Sequence, residues 1–294
     1  MKRSVAIMLA LLTAVIAACF TGCVSISDSY PDSDKYSSGN AEFKSSEVRS
    51  IDINWRSGSI TVTRHDADNV TVTESCKNDL KDSQKVHTWL DGDTLRIQYC
   101  ESGETFIGFN SPQKSLEILI PEDMELSELS YDGSSGDAKF ENITADTISV
   151  DVSSGDADII SCSAKYFDVE SSSGDITIEQ KGEAVSIEAE ASSGDIDITA
   201  EKTGELDAEA SSGKIVVRLE NMPADTDIDT SSGNVKVYVP EDADFTADID
   251  TSSGDFDSDL ALSKDGDTYT KGSGTNKLSI DTSSGDIKIL SLAD

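Results

Sequence analysis

Positive charge is scarce in this chain. Lys and Arg number 23 against 57 Asp and Glu, a formal net charge of −34 over 294 residues. So few cations cannot neutralise a phosphate backbone, which excludes nucleic acid as a partner. An anionic lipid surface repels the chain for the same reason. Histidine is nearly missing: His65 and His87 are the only two, and beyond Ser130 the single arginine is Arg218. A Ser-His nucleophile or a general base is therefore hard to assemble in the C-terminal half. Aromatic residues make up 6%. Acidity with few aromatics can mean disorder, but the apolar residues here alternate regularly with polar ones, as half-buried strands require. No apolar stripe of helical period runs for ten residues, so helix is excluded as the main element.

A good membrane span is also lacking. The start, "MKRSVAIMLALLTAVIAACFTGC", has a basic n-region, Lys2 and Arg3, and an apolar run, Val5 to Ile16, too short to span a bilayer well. It runs into cysteine behind small residues and so resembles a bacterial lipoprotein signal. Two frames fit, "IAAC" ending at Cys19 and "FTGC" ending at Cys23. Cys23 leaves no stray thiol in the mature chain and is the preferred lipid attachment, with Cys19 the alternative. The expected organisation is a signal peptide over 1–22 and a Ser/Asp-rich flexible tether over 23–47. The protein is expected to be exported and held at a membrane, facing outward. An exported protein can form disulfides, and Cys76 and Cys100 are the candidate pair. Cys162, in a repeat loop, reads as a small residue in thiol form. These spacings match no zinc pattern.

What is abundant is Ser-Ser-Gly. The central glycines are Gly136, Gly155, Gly174, Gly194, Gly213, Gly233, Gly254 and Gly285, at intervals of 19, 19, 20, 19, 20, 21 and 31. A period near 20 marks a stacked repeat fold. Seven and five residues before each glycine, and two and four after it, stand mostly apolar residues, as in Ile148, Val150, Ala157 and Ile159 around Gly155. The residues between are polar, which is period-2 alternation on both sides of a corner. Each unit reads as strand, corner, strand and a second loop. The fold class expected is all-β: a right-handed β-solenoid over 129–294, with an irregular N-terminal β cap over 48–128 covering the open strand edges. Trp55 and Trp89 lie in that cap and read as core. The long last interval contains "SKDGDTYTKGSGTNK", expected as a protruding hairpin.

The stretch "SLEILIPEDMELSELSYDGSSGDAKFENITADTISVDVSSGDADI" resembles the bacterial "putative adhesin", or toastrack, β-strand-repeat family, over roughly residues 50–290. The resemblance implies an extracytoplasmic β-solenoid with no catalytic residues, and a link, in some relatives, to envelope-stress systems. Lys214 and Asn234 depart from the family's pattern, because an acid usually follows the corner glycine.

Glycine suits a tight corner needing positive φ, and the serine pairs are expected to tie the bend. The acids are the feature with room for function. Four residues before each glycine stand Asp132, Asp151, Glu170, Glu190, Glu209, Asp229, Asp250 and Asp281, all eight acidic. Stacked about 5 Å apart, like charges cost ~0.8 kcal/mol per neighbouring pair in bulk water before screening. A shared calcium ion would remove that cost, so these eight are the candidate metal ligands; the competing reading is a solvated acidic face. Three functions compete. The first is a non-enzymatic, membrane-tethered scaffold, adhesin-like or envelope-stress associated, with an envelope protein or glycan as partner and no cofactor. The second is a calcium-binding acidic module. The third is a polysaccharide-active enzyme, by analogy with β-helical lyases, and the missing base weighs against it.

Overall fold

The computed structural model describes residues 25–27, 30–107, 112 and 114–292. The signal segment lies outside them, with Cys19 and Cys23. Among the described residues there is no α-helix, and no helix long and apolar enough to cross a membrane. The chain is a β-solenoid of two sheets. Each coil lays one strand in a first sheet, turns at Ser-Ser-Gly, and lays the next in a second sheet. Neighbouring strands are parallel and in register. Leu129 pairs with Ile148, Ile148 with Phe167, Phe167 with Ile187 and Ile187 with Leu206 in the first sheet. Ile176, Ile196, Ile215 and Val235 stack likewise in the second.

The alternation places the core as expected. At the four predicted inward positions every residue is buried except Phe256 and Ser258, which are half-buried in the outermost coil. A further inward position lies three before the glycine, where Val152, Ala191, Ala210 and Thr282 are buried. The loop after one corner keeps its strand continuous from Ala157 to Ser171, with a register shift between Ile159 and Cys162. Cys162 is fully buried there, accepting from the Ile143 N–H at 3.4 Å. Burial pushes its thiol up to about 12, so it is an inert core residue.

The corner differs in detail from the sequence reading. A positive φ is present at Gly136, Gly155, Gly174, Gly194 and Gly213, but not at Gly233, Gly254 or Gly285. What all eight share is a stack. A methyl on any of them would overlap the backbone carbonyl of the glycine in the adjoining coil, from Gly58 under Gly136 to Gly285 under Gly254. Backbone, not serine hydroxyl, ties the bend: the Gly155 N–H donates to the Ser173 carbonyl at 3.0 Å and Gly174 N–H to Ser193 at 3.1 Å. The corner serines are exposed. The residue after the glycine bridges coils. Asp156 N–H donates to Asp137 Oδ1, Asp175 N–H to Asp156 Oδ1, Asp195 N–H to Asp175 Oδ1 and Lys214 N–H to Asp195 Oδ1, at 2.8–3.2 Å. Asn234 Oδ1 takes the same role for Asp286 N–H at 2.8 Å. Asn keeps the acceptor that Asp supplies, whereas Lys214 has none and instead donates its ammonium to Asp195 Oδ2 at 2.8 Å.

Both ends depart from sequence order. At the C-terminal end the last coil, Asn276–Ser284 with Ile287–Ser291, lies between the coil of Asp225–Ser232 and that of Phe245–Thr251. The inserted hairpin does not protrude. Its strand Thr268–Lys271 folds back antiparallel on Phe245–Thr251, and Ser263–Asp265 pairs in turn with Thr268–Lys271. At the N-terminal end Ser50–Ser57 pairs directly with Leu126–Ser135, and Thr94–Gln98 lies outside it. The boundary expected at 128/129 is thus no break in the stack, since the coil turning at Gly58 continues it. The expected tether is also shorter than 23–47. Ser37–Ser38 and Ala41–Lys44 pair antiparallel with His87–Asp91 and Asn69–Cys76, and Phe43 packs on the core. These short antiparallel strands, not all of 48–128, form the cap.

Candidate functional site

The in-register stack brings all eight expected acids into one column on the outer face of the first sheet. Its order is Asp132, Asp151, Glu170, Glu190, Glu209, Asp229, Asp281, Asp250. The sequence reading missed a second column. Asp168, Glu188, Asp207 and Asp227, six before their glycines, stack beside the first. The signal was available, because period 2 puts the residue at −6 on the same face as that at −4. A groove of about 460 Å³ runs along the first column and the Ser172, Ser192, Ser211 and Ser231 positions beside it. Lys214 and Arg218 pair with Asp195 and Asp197 on the second sheet, and Lys277 pairs with Asp225 on the first sheet, outside the groove lining.

Partial burial, and then the neighbouring carboxylates, raise the protonation ranges of Glu170, Glu190, Glu209 and Asp229 in the first column and Asp207 in the second. Asp132 is raised by burial first and Asp151 second. Among the described residues no three acids, histidines or cysteines converge as a metal cage would require. The column therefore offers single carboxylates from successive coils.

These shifts fix a pH dependence. The raised acids bind protons more tightly folded than unfolded, so stability grows as pH falls from neutral through their raised values toward the ordinary carboxylate range. Asp195 and Asp244 act oppositely. Lys214 holds Asp195 down, and the Ser273 hydroxyl with the Thr275 N–H holds Asp244 at about 2. Their stabilisation is present above the ordinary range and is lost as pH falls through their own lowered values. The thermal midpoint is expected to rise between pH 7 and about 5 and to fall again below about pH 3. Neutralising Glu170, Glu190, Glu209 and Asp229 to Gln or Asn removes five like-charge rungs, each worth ~0.4 kcal/mol after screening. The variant should melt about 5 °C higher at pH 7 and lose most of the acid-side rise. Calorimetry across pH checks both.

A second polar site lies in the N-terminal coils, unforeseen in the sequence. Lys114 has a fully buried side chain, with Nζ 2.6 Å from Glu74 Oε1, itself 6% exposed. The ammonium sits 4.8 Å from the Trp55 ring centre and 3.9 Å from that of Tyr99, and donates to the carbonyls of Gln84, at 2.8 Å, and Tyr99. Burial pulls its protonation range down, against Glu74, which raises it. Cys76 and Cys100, the candidate disulfide pair, both lie around this buried ammonium. Cys76 ends the strand opposite Lys114, Cys100 is fully buried after the next coil's strand, and both act electrostatically on Lys114. Of the two tryptophans, Trp55 is core at 1% exposure, while Trp89 is half-buried. The histidines are structural. His65 Nε2 bonds the Asn69 carbonyl at 2.7 Å and His87 Nδ1 the Lys85 carbonyl at 2.9 Å.

A family model, Toastrack DUF4097, matches residues 48–290. Solved structures are also similar. A putative adhesin from Bacteroides fragilis is 16% identical with a TM-score of 0.46, covering 86% of this chain and 96% of its own. A putative adhesin from Parabacteroides distasonis is 11% identical with a TM-score of 0.44 at the same coverages. A putative cell adhesion protein from Clostridium sporogenes is 10% identical with a TM-score of 0.25, covering 88% of this chain and all of its own. No curated protein matches the chain.

Proposed function

The chain belongs to the Toastrack DUF4097 family, and from that premise we propose that it is a non-enzymatic, adhesin-like scaffold of the outer cell envelope, whose working surface is the carboxylate and serine groove. The observation that carries this reading is the unbroken acidic column flanked by exposed serines. A fold retaining like charges in register at a cost to its stability presents them to something, and a basic segment of an envelope protein is the complementary partner. An envelope-stress role fits the same surface, as a place where such a protein is held or released.

A photo-crosslinking residue at Ser192, in the groove, tests this in intact cells against one at Thr177, on the second sheet. Crosslinks to one basic envelope protein from position 192 and none from 177 are expected. Equal crosslinking from both, or none, overturns the reading. Calcium shared between adjacent rungs is the second reading, favoured by the in-register stacking of Glu170, Glu190 and Glu209 on successive coils. It requires millimolar calcium to raise the thermal midpoint several degrees more than magnesium at equal ionic strength; an equal rise rejects it.

Membrane attachment is proposed through a lipid on Cys23, with Cys19 the alternative. Palmitate labelling is expected to vanish in Cys23→Ser and to persist in Cys19→Ser. The opposite pattern moves the anchor to Cys19.

A further inference from the structure

At the N-terminal end of the acidic face the chemistry changes. The rungs that continue the first column are amides: Asn54 pairs in register with Asp132, and Gln98 with Asn54. Asp52 and Arg96 continue the second column. The segment 30–36 lies across these strands, and a cavity of about 230 Å³ remains between them. Its wall carries three aromatic rings, of Tyr30, Tyr36 and Trp89, with Tyr36 and Trp89 edge to face at 5.5 Å.

Every charge named around this cavity has a partner, with one arginine shared by two carboxylates. Arg96 bridges Asp52 Oδ2 at 2.6 Å and Asp91 Oδ2 at 3.1 Å. Lys35 pairs with Asp32 at 3.0 Å and rests 4.5 Å from the Trp89 ring centre. Hydrogen-bonding capacity is not used up. Gln98 is 6% exposed, yet its amide bonds no described residue. It is one of the residues that line the cavity. A nearly buried amide without partners is uncommon and calls for a ligand or water. Asn54 Oδ1 accepts from the Tyr30 hydroxyl at 3.3 Å, and its NH₂ remains to donate.

We propose that this cavity is a saccharide-binding site. Aromatic rings offer an apolar face to the C–H groups of a sugar ring. Amides, the second oxygens of Asp52 and Asp91, and the remaining guanidinium N–H groups offer donors and acceptors side by side, as hydroxyls need. An anion would meet the carboxylates and a cation would meet Arg96 and Lys35, so the paired charges favour a neutral polyol. The exposed Lys35–Asp32 pair holds weakly and yields to a ligand approaching Trp89. The site is separate from the acidic groove and does not depend on its partner.

Tryptophan emission of the full chain tests this, with glucose, galactose, mannose and N-acetylglucosamine as probes up to ~50 mM, because a single sugar ring is expected to bind in the millimolar range. Trp55 is buried, so a saturable shift should come from Trp89 and disappear in Trp89→Phe. Gln98→Leu and the more accessible Asn54→Leu should each weaken binding about tenfold at an unchanged melting temperature. The groove variant neutralised at Glu170, Glu190, Glu209 and Asp229 should bind normally. No shift with any of the four sugars overturns the proposal. So does a shift with choline alone, or one that both amide variants leave intact.

Discussion

Gly194→Ala is expected to lower the melting temperature by about 10 °C or more. The added methyl would overlap the carbonyl oxygen and carbon of Gly174 in the adjoining coil. Both partners are backbone, so no side chain can swing away. Relief requires the two coils to separate at the corner, which weakens ladder bonds on both sides. A cost of at least ~4 kcal/mol places the change among the severe ones, and in a chain of this size each kcal/mol is worth about 2–4 °C. Two further substitutions separate crowding from backbone conformation. Gly92 has a φ of +67 with nothing within 4 Å of an added methyl, so Gly92→Ala carries only the conformational cost of about 1–2 kcal/mol. Gly233 lacks the positive φ but has the same crowding, so Gly233→Ala should be as damaging as Gly194→Ala. Thermal or urea unfolding of the three variants decides. A tolerated Gly233→Ala would restore turn conformation as the reason for the repeated glycine.

Lys114→Met is expected to destabilise by about 3–5 kcal/mol, because it leaves Glu74 buried without a counter-charge. The aromatic contacts to Trp55 and Tyr99 favour a cation specifically, so a methionine of similar length recovers packing but not that attraction. Adding Glu74→Leu should return most of the loss, since a buried ion pair replaced whole by apolar groups is often neutral. The double-mutant cycle yields the coupling energy directly. Equal stability of Lys114→Met and the wild type would show that the pair contributes nothing. The site has a structural use: Lys114 links Glu74 to the Gln84 and Tyr99 carbonyls, joining the cap strands to the first coils.

The repeat made the C-terminal two-thirds legible. Eight copies average out accidents, so the inward positions, the corner glycines and the acidic column all stand out in the sequence itself. Lys114 and Glu74 occur once, in coils with no Ser-Ser-Gly tag, and nothing in a single lysine signals burial. The exchange of the last two coils was invisible for the opposite reason. Every coil presents the same pattern to its neighbours, so Asp229 stacks as well on Asp281 as it would on Asp250, and the period cannot name the neighbour. The short strand Ala41–Lys44 has only Phe43 as a large apolar residue, too little alternation to separate it from a tether. The aspartates that follow most of the glycines serve as hydrogen-bond acceptors for the stacked partner, a role defined only once coils adjoin.

The order of the final coils also bears on how the chain reaches its finished state. Growth by adding one coil to the last cannot complete this solenoid. When Phe245–Ser258 has emerged, its place at the end of the stack is separated from Asp225–Val239 by a gap one coil wide. Only Asn276–Ser291, the last strands described, fill that gap. A chain cut short in the hairpin would carry two open edges where the finished one has none between these coils, and such edges are what proteases and aggregating chains find first. The interleaved end therefore works as a check on assembly: the two sheets close between these coils only once Asn276–Ser291 has taken its place.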